Sequence, residues 1–329
     1  MRYLGGWRLR RQPLLRPATQ LTTCTADGPA SVPVYSIRNP DHHEAIARAL
    51  ARGRTAAFYV GLFGIGQAIR PAWLGHDDAE TYWRVKVGRP RWAKVPLFSK
   101  PSHALRLIDF GLVHPAFRHL ARREAFERLW TGHGAPLHVI APVRQPLRFL
   151  DPAVVTFHED LVQHVTDDVD PRERVIAPAT ACFFWIADPM WDTVVTLAGL
   201  YSPPRVCFGA SSLNDHGEQP PYTMAELRTF IDGRSTLPFD LVITDELYER
   251  SGAFSSHTQV RLPLVGEPAE LIVVRRGCVS AEWLAESTGY PVRVMASAAI
   301  ASRQAGLTDR ELRARLEQFR AWRSRYMGE

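Results

Sequence analysis

The feature that most constrains this fold is the alternation of short apolar runs with capped helical segments along nearly the whole chain. Residues 55–60, 138–143, 180–187, 205–210 and 240–244 are short runs rich in β-branched, aromatic or other apolar residues, bounded by polar, Gly or Pro residues. Each reads as a strand. Between them stand stretches with apolar residues at helical spacing, three of which open on a capping box. Asp41-His-His-Glu44 leads into Ala45, Ile46, Ala49 and Leu50 and closes at Gly53. Thr223-Met-Ala-Glu226 leads into Leu227, Phe230 and Ile231, and Thr308-Asp-Arg-Glu311 into Leu312, Leu316, Phe319 and Trp322. In such a box the first side chain accepts a bond from the fourth residue's N–H and the Glu reaches back, so each motif fixes a helix start. Residues 115–130 and 190–200 read as further helices. Residues 260–265 and 271–274, joined through Gly266-Glu-Pro268, read as a hairpin, followed by a short helix from Ala281 and a strand at 292–295. Interleaved periods of two and 3.6 predict an α/β domain with a mixed, twisted sheet flanked by helices.

Two segments fall outside that alternation. Residues 1–30 are Arg-, Pro- and Thr-rich with little periodicity and read as an irregular arm. The strand at 55–60 runs into Gly61-Leu-Phe-Gly64-Ile-Gly66, read as a glycine-rich turn. The expected organisation is an arm over 1–35, one nucleotide-binding domain over 36–300 and a C-terminal helix over 301–329.

The 329 residues are 46% hydrophobic and 22% charged, enough to build a sizeable core. No apolar run reaches the roughly 20 residues of a membrane helix. The five arginines among the first twenty residues have no apolar stretch behind them, so a secretory signal is not expected and a cytoplasmic, membrane-free protein is. Cys24, Cys182, Cys207 and Cys278 form no Cys-x-x-Cys pair, and the twelve histidines no His-Glu-x-x-His pattern, so no metal site is expected. Cys182 and Cys207 read as buried thiols. His42, His43, His114 and His119 read as surface or helix-end residues. A net charge of +6 favours anionic partners without choosing between nucleotide, phosphate metabolite and RNA.

The chemistry is concentrated in two places. In Arg84-Val-Lys86-Val-Gly-Arg89-Pro-Arg91-Trp-Ala-Lys94-Val-Pro96-Leu97, five cations fall within eleven residues around a Gly and a Pro. No helix face accounts for that crowding; a bound polyphosphate would, and a solvated basic loop is the alternative. Far downstream, the strand at 205–210 feeds Ser211-Ser212-Leu-Asn214-Asp-His-Gly217, a run of short hydroxyl, amide and glycine residues.

Taken in order, these segments resemble the YrdC-like family, the threonylcarbamoyl-adenylate synthases and their relatives, over about residues 40–300. The family's Lys-x-Arg…Pro-Leu loop is matched by Lys86…Pro96-Leu97, with either Arg89 or Arg91 as its arginine. Its Ser-Ala-Asn-x-Ser-Gly is matched by Ser212-Leu-Asn214-Asp-His-Gly217, with Pro221-Tyr-Thr223 where the family has Pro-Thr-Thr. Its late Ser-Thr strand and Arg-Pro-Gly are matched by Ser255-Ser256-His-Thr258 and Arg275-Arg276-Gly277. The resemblance implies a YrdC-like twisted mixed sheet around a positively charged cavity. It implies ATP with Mg2+ as the nucleotide and bicarbonate or carbamoyl phosphate as co-substrate. Lys86 and Arg91 would be catalytic. Lys86, Arg89, Arg91, Ser212, Asn214, Thr223 and Arg276 would hold ATP, and Gly64, Lys100, Ser211, Ser255 and Ser256 the other substrate.

The departures point away from threonine. The family's substrate turn, rich in hydroxyls and carboxylate, is here Tyr59-Val-Gly-Leu-Phe-Gly64, and its Arg-x-Pro strand is Trp185-Ile-Ala187. A buried site lacking those polar partners discriminates strongly against the ligand they serve. The expected function is formation or use of a carbamoyl adenylate for a non-threonine acceptor, with a small amine or carbamoyl donor and a separate carbamoyltransferase as partners. The alternatives are threonylcarbamoyl-adenylate synthesis for tRNA modification, and a non-catalytic nucleotide- or RNA-binding module.

Overall fold

The computed structural model describes residues 19–25, 28–60, 63–68, 97–98, 100–131, 137–144, 155–156, 180–185, 188–201, 208–214, 219–232, 234, 236–250, 257–300 and 307–327. The strands among them are β1 (Thr19–Thr25), β2 (Gly28–Ser36), β3 (Ala56–Tyr59), β4 (Phe63–Ala68), β5 (Leu97–Phe98), β6 (Leu137–Pro142), β7 (Val155–Thr156), β8 (Thr180–Phe184), β9 (Phe208–Ser212), β10 (Leu241–Thr244), β11 (Thr258–Arg261), β12 (Leu271–Arg276) and β13 (Val292–Ile300). The α-helices are α1 (Pro40–Ala51), α2 (Pro101–Leu107), α3 (Arg123–Thr131), α4 (Pro189–Tyr201), α5 (Met224–Asp232), α6 (Glu246–Arg250), α7 (Ala281–Thr288) and α8 (Asp309–Met327), with a 3₁₀ helix at Pro115–Ala121. The strands form one mixed sheet in the order β1-β2-β10-β3-β4-β9-β5-β8-β6-β11-β12-β13, with β7 on β8. The α/β expectation holds. Among the described residues no helix is long and apolar enough to cross a membrane.

The segment read as an arm is, over residues 19–36, the β1–β2 hairpin at one edge of this sheet, and β2 pairs in parallel with β10. Its alternation is there in Leu21, Thr23, Val32 and Val34, all buried, but threonines and prolines fill the other positions and mask it. Leu227 and Ile231 of α5 cover these residues in a small core of their own. The main core lies on the other elements, with Ile46, Leu97, Phe126, Trp130, Val139, Phe183 and Trp191 in one cluster.

Local chemistry moves three other boundaries. Helix α1 is capped by Asn39 rather than Asp41: Pro40 takes the first helical position, where its missing N–H is not needed, and Asn39 Oδ1 accepts from Asp41 N at 3.1 Å. The run 115–130 is two helices with a break at Arg122. Phe117 and Leu120, three apart, suit the tighter 3₁₀ repeat, and the break lets Phe126 and Trp130 reach the same core. The glycine-rich run is strand β4, antiparallel to β3. Gly64 serves close packing: a Cβ there would lie 3.1 Å from Ser211 O and 3.4 Å from the Phe58 ring.

A buried charged cluster locks the ends of β2 and β10 to α4. The Arg38 guanidinium donates to both carboxylate oxygens of Asp245, at 2.9 and 2.6 Å, and to Asp188 at 2.6 Å, while Asp188 caps α4 through Met190 N. Burial opposes the Arg38 charge, but the bonds and charges of the two aspartates overcome it and raise its pKa. His42 and His43 stand at a helix end as expected, but they are buried, not on the surface. His42 Nδ1 accepts from Ser36 N and His43 donates to Ile37 O at 2.7 Å. Helix α8 has the expected Thr308–Glu311 cap, and its Leu312 and Leu316 are buried.

Candidate active-site pocket

One hydrogen bond reveals the shape of the sheet. His257 Nε2, just before β11, lies 3.1 Å from Val60 O, just after β3. These strands are six steps apart in the sheet order, so on a flat sheet they would be roughly 29 Å apart at about 4.8 Å per step. The sheet therefore curls until the start of β11 meets the end of β3. On the β8-β6-β11-β12 part of that curl, cross-strand pairing puts His138 beside Phe184 and Gln259, Cys182 beside Ile140, and Gln259 beside Arg275. Paired residues share a face, as do residues two apart. Cys182 is half-buried while the other β8 residues are buried, and Gln259 is the one half-buried residue of β11. These two side chains and Arg275 share one face of the sheet, with His138 and His257 buried beside them.

The two histidines form a directed hydrogen-bond chain. A backbone carbonyl only accepts, so His257 Nε2 carries the proton it gives to Val60 O. His257 Nδ1 is then the acceptor for His138 Nε2–H at 3.0 Å. His138 Nδ1 in turn carries a lone pair, which faces Gln259 Nε2 at 3.3 Å and Cys182 Sγ at 3.8 Å. The opposite pair of tautomers would set a ring lone pair against the Val60 carbonyl. Both imidazoles are held neutral. Burial lowers the His257 pKa to about 4, with the Arg275 charge adding to it, and burial, His257 and Arg275 push His138 well below the ordinary value. His138 also stacks on Phe184, ring centroids 4.8 Å apart.

Arg275 supplies the positive charge. Its Nε and Nη2 donate to His257 O at 3.3 and 2.9 Å, and among the described residues no carboxylate pairs with it. Burial lowers its pKa, and the groups that oppose this shift are Cys182, Cys278 and Tyr222 rather than an Asp or Glu. A register shift between Gln259 and Val260 places an extra residue in β12, so that Arg275, not Val274, faces Gln259. Simple alternation from the buried Val273 would send Arg275 to the core side and Arg276 to the pocket. The bulge reverses this. Arg276 is exposed.

The residues expected from the sequence divide into groups. Gly64 pairs with Ser212 and Ile65 with Ser211, so the substrate turn and the Ser-Ser-x-Asn segment lie side by side. Ser211 and Ser212 are the last residues of β9, not turn residues, and Asn214 beyond them is buried. Thr223 caps α5, its Oγ1 accepting from Glu226 N at 3.1 Å, and Tyr222 N donates back to the Glu226 carboxylate. Lys100 is held on α4, 2.7 Å from Asp192 and 2.6 Å from Thr196 Oγ1. Lys86, Arg89, Arg91, Ser255, Ser256 and Cys207 lie outside the described residues. Sequence reasoning missed His138, His257, Gln259 and Arg275. The signal available was a histidine inside the otherwise apolar run 137–142, every residue of which is buried. For Mg2+, no group of three or more His, Cys, Asp or Glu side chains among the described residues is arranged to hold a cation.

No protein-family model matches the chain, and no curated protein matches it either. Solved structures do. P. abyssi Sua5 in complex with L-threonine superposes with a TM-score of 0.51 at 16% identity, covering 79% of this chain and 62% of that one. A double-substituted P. abyssi Sua5 gives 0.50 at 14% identity, covering 79% and 65%. E. coli YciO gives 0.47 at 14% identity, covering 76% and 97%. The chain thus spans less than two thirds of the length of the Sua5 structures it matches. At this level of identity the likeness establishes architecture: the curled mixed sheet of this chain is the YrdC-like fold found in Sua5.

Proposed function

We propose that this protein is an ATP-binding enzyme that forms or uses a carbamoyl adenylate, with an acceptor other than threonine. The observation that carries the reading is Arg275, a guanidinium held in the concave face of a YrdC-like sheet with no carboxylate beside it among the described residues. Retaining a half-buried cation against its desolvation is expected where an anion completes the site. A phosphoryl group there accepts short charge-assisted bonds, and as negative charge grows on the α-phosphoryl oxygens in the transition state, those bonds strengthen. Ser212 and Asn214 stand at the end of β9 as short donors for ribose or phosphate. The cations of residues 84–94 would add the charge a triphosphate needs.

Exclusion of threonine rests on the pocket wall. P. abyssi Sua5 was solved with L-threonine. Here Val60 and Phe184 are buried and apolar, and their side chains offer an amino acid's carboxylate and hydroxyl no hydrogen-bond partner. Polar groups buried without partners reduce transition-state binding by on the order of 10⁴-fold. The test is pyrophosphate release from ATP and bicarbonate, with and without threonine. ATP turnover indifferent to threonine is expected. Release that requires threonine overturns the acceptor assignment, and no binding or turnover of ATP overturns the whole reading.

A further inference from the structure

The pocket contains one nucleophile that the adenylate reading does not use. Cys182 is reduced, it is the half-buried residue of an otherwise buried strand, and its Sγ lies 3.8 Å from His138 Nδ1. The tautomers set by the Val60 carbonyl leave a lone pair on that nitrogen, so the imidazole faces the thiol as a proton acceptor. His257 orients His138 as a third group orients the base in nucleophile–base–orienter triads. Arg275, electrostatically coupled to Cys182, supplies positive charge beside the sulfur.

We propose that Cys182 is the covalent acceptor of this pocket and takes the carbamoyl group of the adenylate as an S-carbamoyl thiocarbamate; this rests on the adenylate reading. In the step, the S–C bond forms at the carbamoyl carbon as the bond from that carbon to the phosphate oxygen breaks. The S–H proton passes to His138 Nδ1, and AMP leaves with the electron pair of the broken bond. No redox co-reactant is needed. An S-carbamoyl cysteine then offers its carbonyl to an amine or hydroxyl acceptor, which explains how a pocket without polar amino-acid partners still transfers a carbamoyl group. His138 and Cys182 are the catalytic residues here, and His257 is a positioning residue.

Because both imidazoles stay neutral through neutral pH, the proton leaves the thiol during attack rather than before it. That gives a signature independent of ATP. With 4-nitrophenyl acetate as an acyl donor free of nucleotide, acylation of Cys182 in the full-length protein is followed by nitrophenolate release and peptide mass mapping. Base-assisted attack makes the rate nearly flat from about pH 6 to about pH 8, whereas an ordinary thiol of pKa near 8.5 speeds up roughly tenfold per pH unit there. The expected result is a flat profile at Cys182, lost in Cys182→Ser. In His257→Gln, which keeps a donor for Val60 O, the profile should become steep, a change that a merely structural role for His257 does not produce. A steep profile in the wild-type protein, or acylation that avoids Cys182, overturns the proposal. Because the donor carries no nucleotide, such a failure with intact ATP-dependent pyrophosphate release removes only the role of Cys182.

Discussion

Replacing Arg275 with Met separates a binding charge from a structural one. The guanidinium donates twice to His257 O, and a bond from a charged donor is worth about 1.5–3 kcal/mol. Against this stands the desolvation of an ion in a half-buried setting, several kcal/mol after relaxation. Its pKa is lowered, chiefly by burial, so the fold disfavours its charged form. Met has similar length and no charge, so the unfolding midpoint in urea should be unchanged or raised. ATP affinity should respond in the opposite direction. Loss of one charge-assisted phosphate bond at about 1.5–3 kcal/mol predicts a roughly 10- to 100-fold rise in Kd by titration calorimetry. Loss of this charge should also raise the His257 pKa, which NMR titration of the imidazole reads directly. A variant that binds ATP as tightly as the wild type would remove Arg275 from the nucleotide site, and one that unfolds would make its charge structural.

Three further outcomes follow from the same geometry. Arg38→Ala leaves the buried Asp188 and Asp245 without their shared guanidinium and should cost about 3–5 kcal/mol in urea unfolding, with function lost through the fold. Thr258→Val removes a fully buried hydroxyl that donates to Val279 O at 2.7 Å and accepts from Val279 N at 2.9 Å, and should cost about 1–3 kcal/mol. His257 has a folded pKa of about 4 against an ordinary 6.5, so between these values the unfolded chain binds the extra proton. Its contribution is complete above pH 6.5 and is lost as pH falls toward 4. Urea midpoints taken across that range should fall with acid, and His257→Phe should flatten the fall. An equally steep fall in the variant would contradict the neutral-imidazole assignment.

The α/β class was legible because strand and helix periods do not mix, and strands β6, β8 and β10 and the caps at Thr223 and Thr308 stand where pattern and capping chemistry place them. The β1–β2 hairpin was hidden because threonine and proline fill its outward positions. Strand β4 was hidden because Gly-x-Gly has no apolar alternation to read. The Arg275/Arg276 choice failed for a definite reason: one extra residue in β12 reverses the face, and a bulge has no period-two signature. The His138–His257 contact joins residues 119 apart in sequence through the pairing of β6 with β11, and its link to Val60 exists only because the sheet curls. No local pattern encodes that encounter.

The proposed function places the nucleotide on the concave face of the sheet, against Arg275 and the end of β9. Photolabelling the intact protein with 8-azido-ATP, followed by peptide mapping, tests it most directly. Saturable labelling, competed by ATP, is expected to be confined to peptides spanning residues 208–223 and 257–276 together with the basic segment 84–97. Labelling that maps to the arginines of α8 or to the β1–β2 edge instead, or that ATP does not compete, contradicts it.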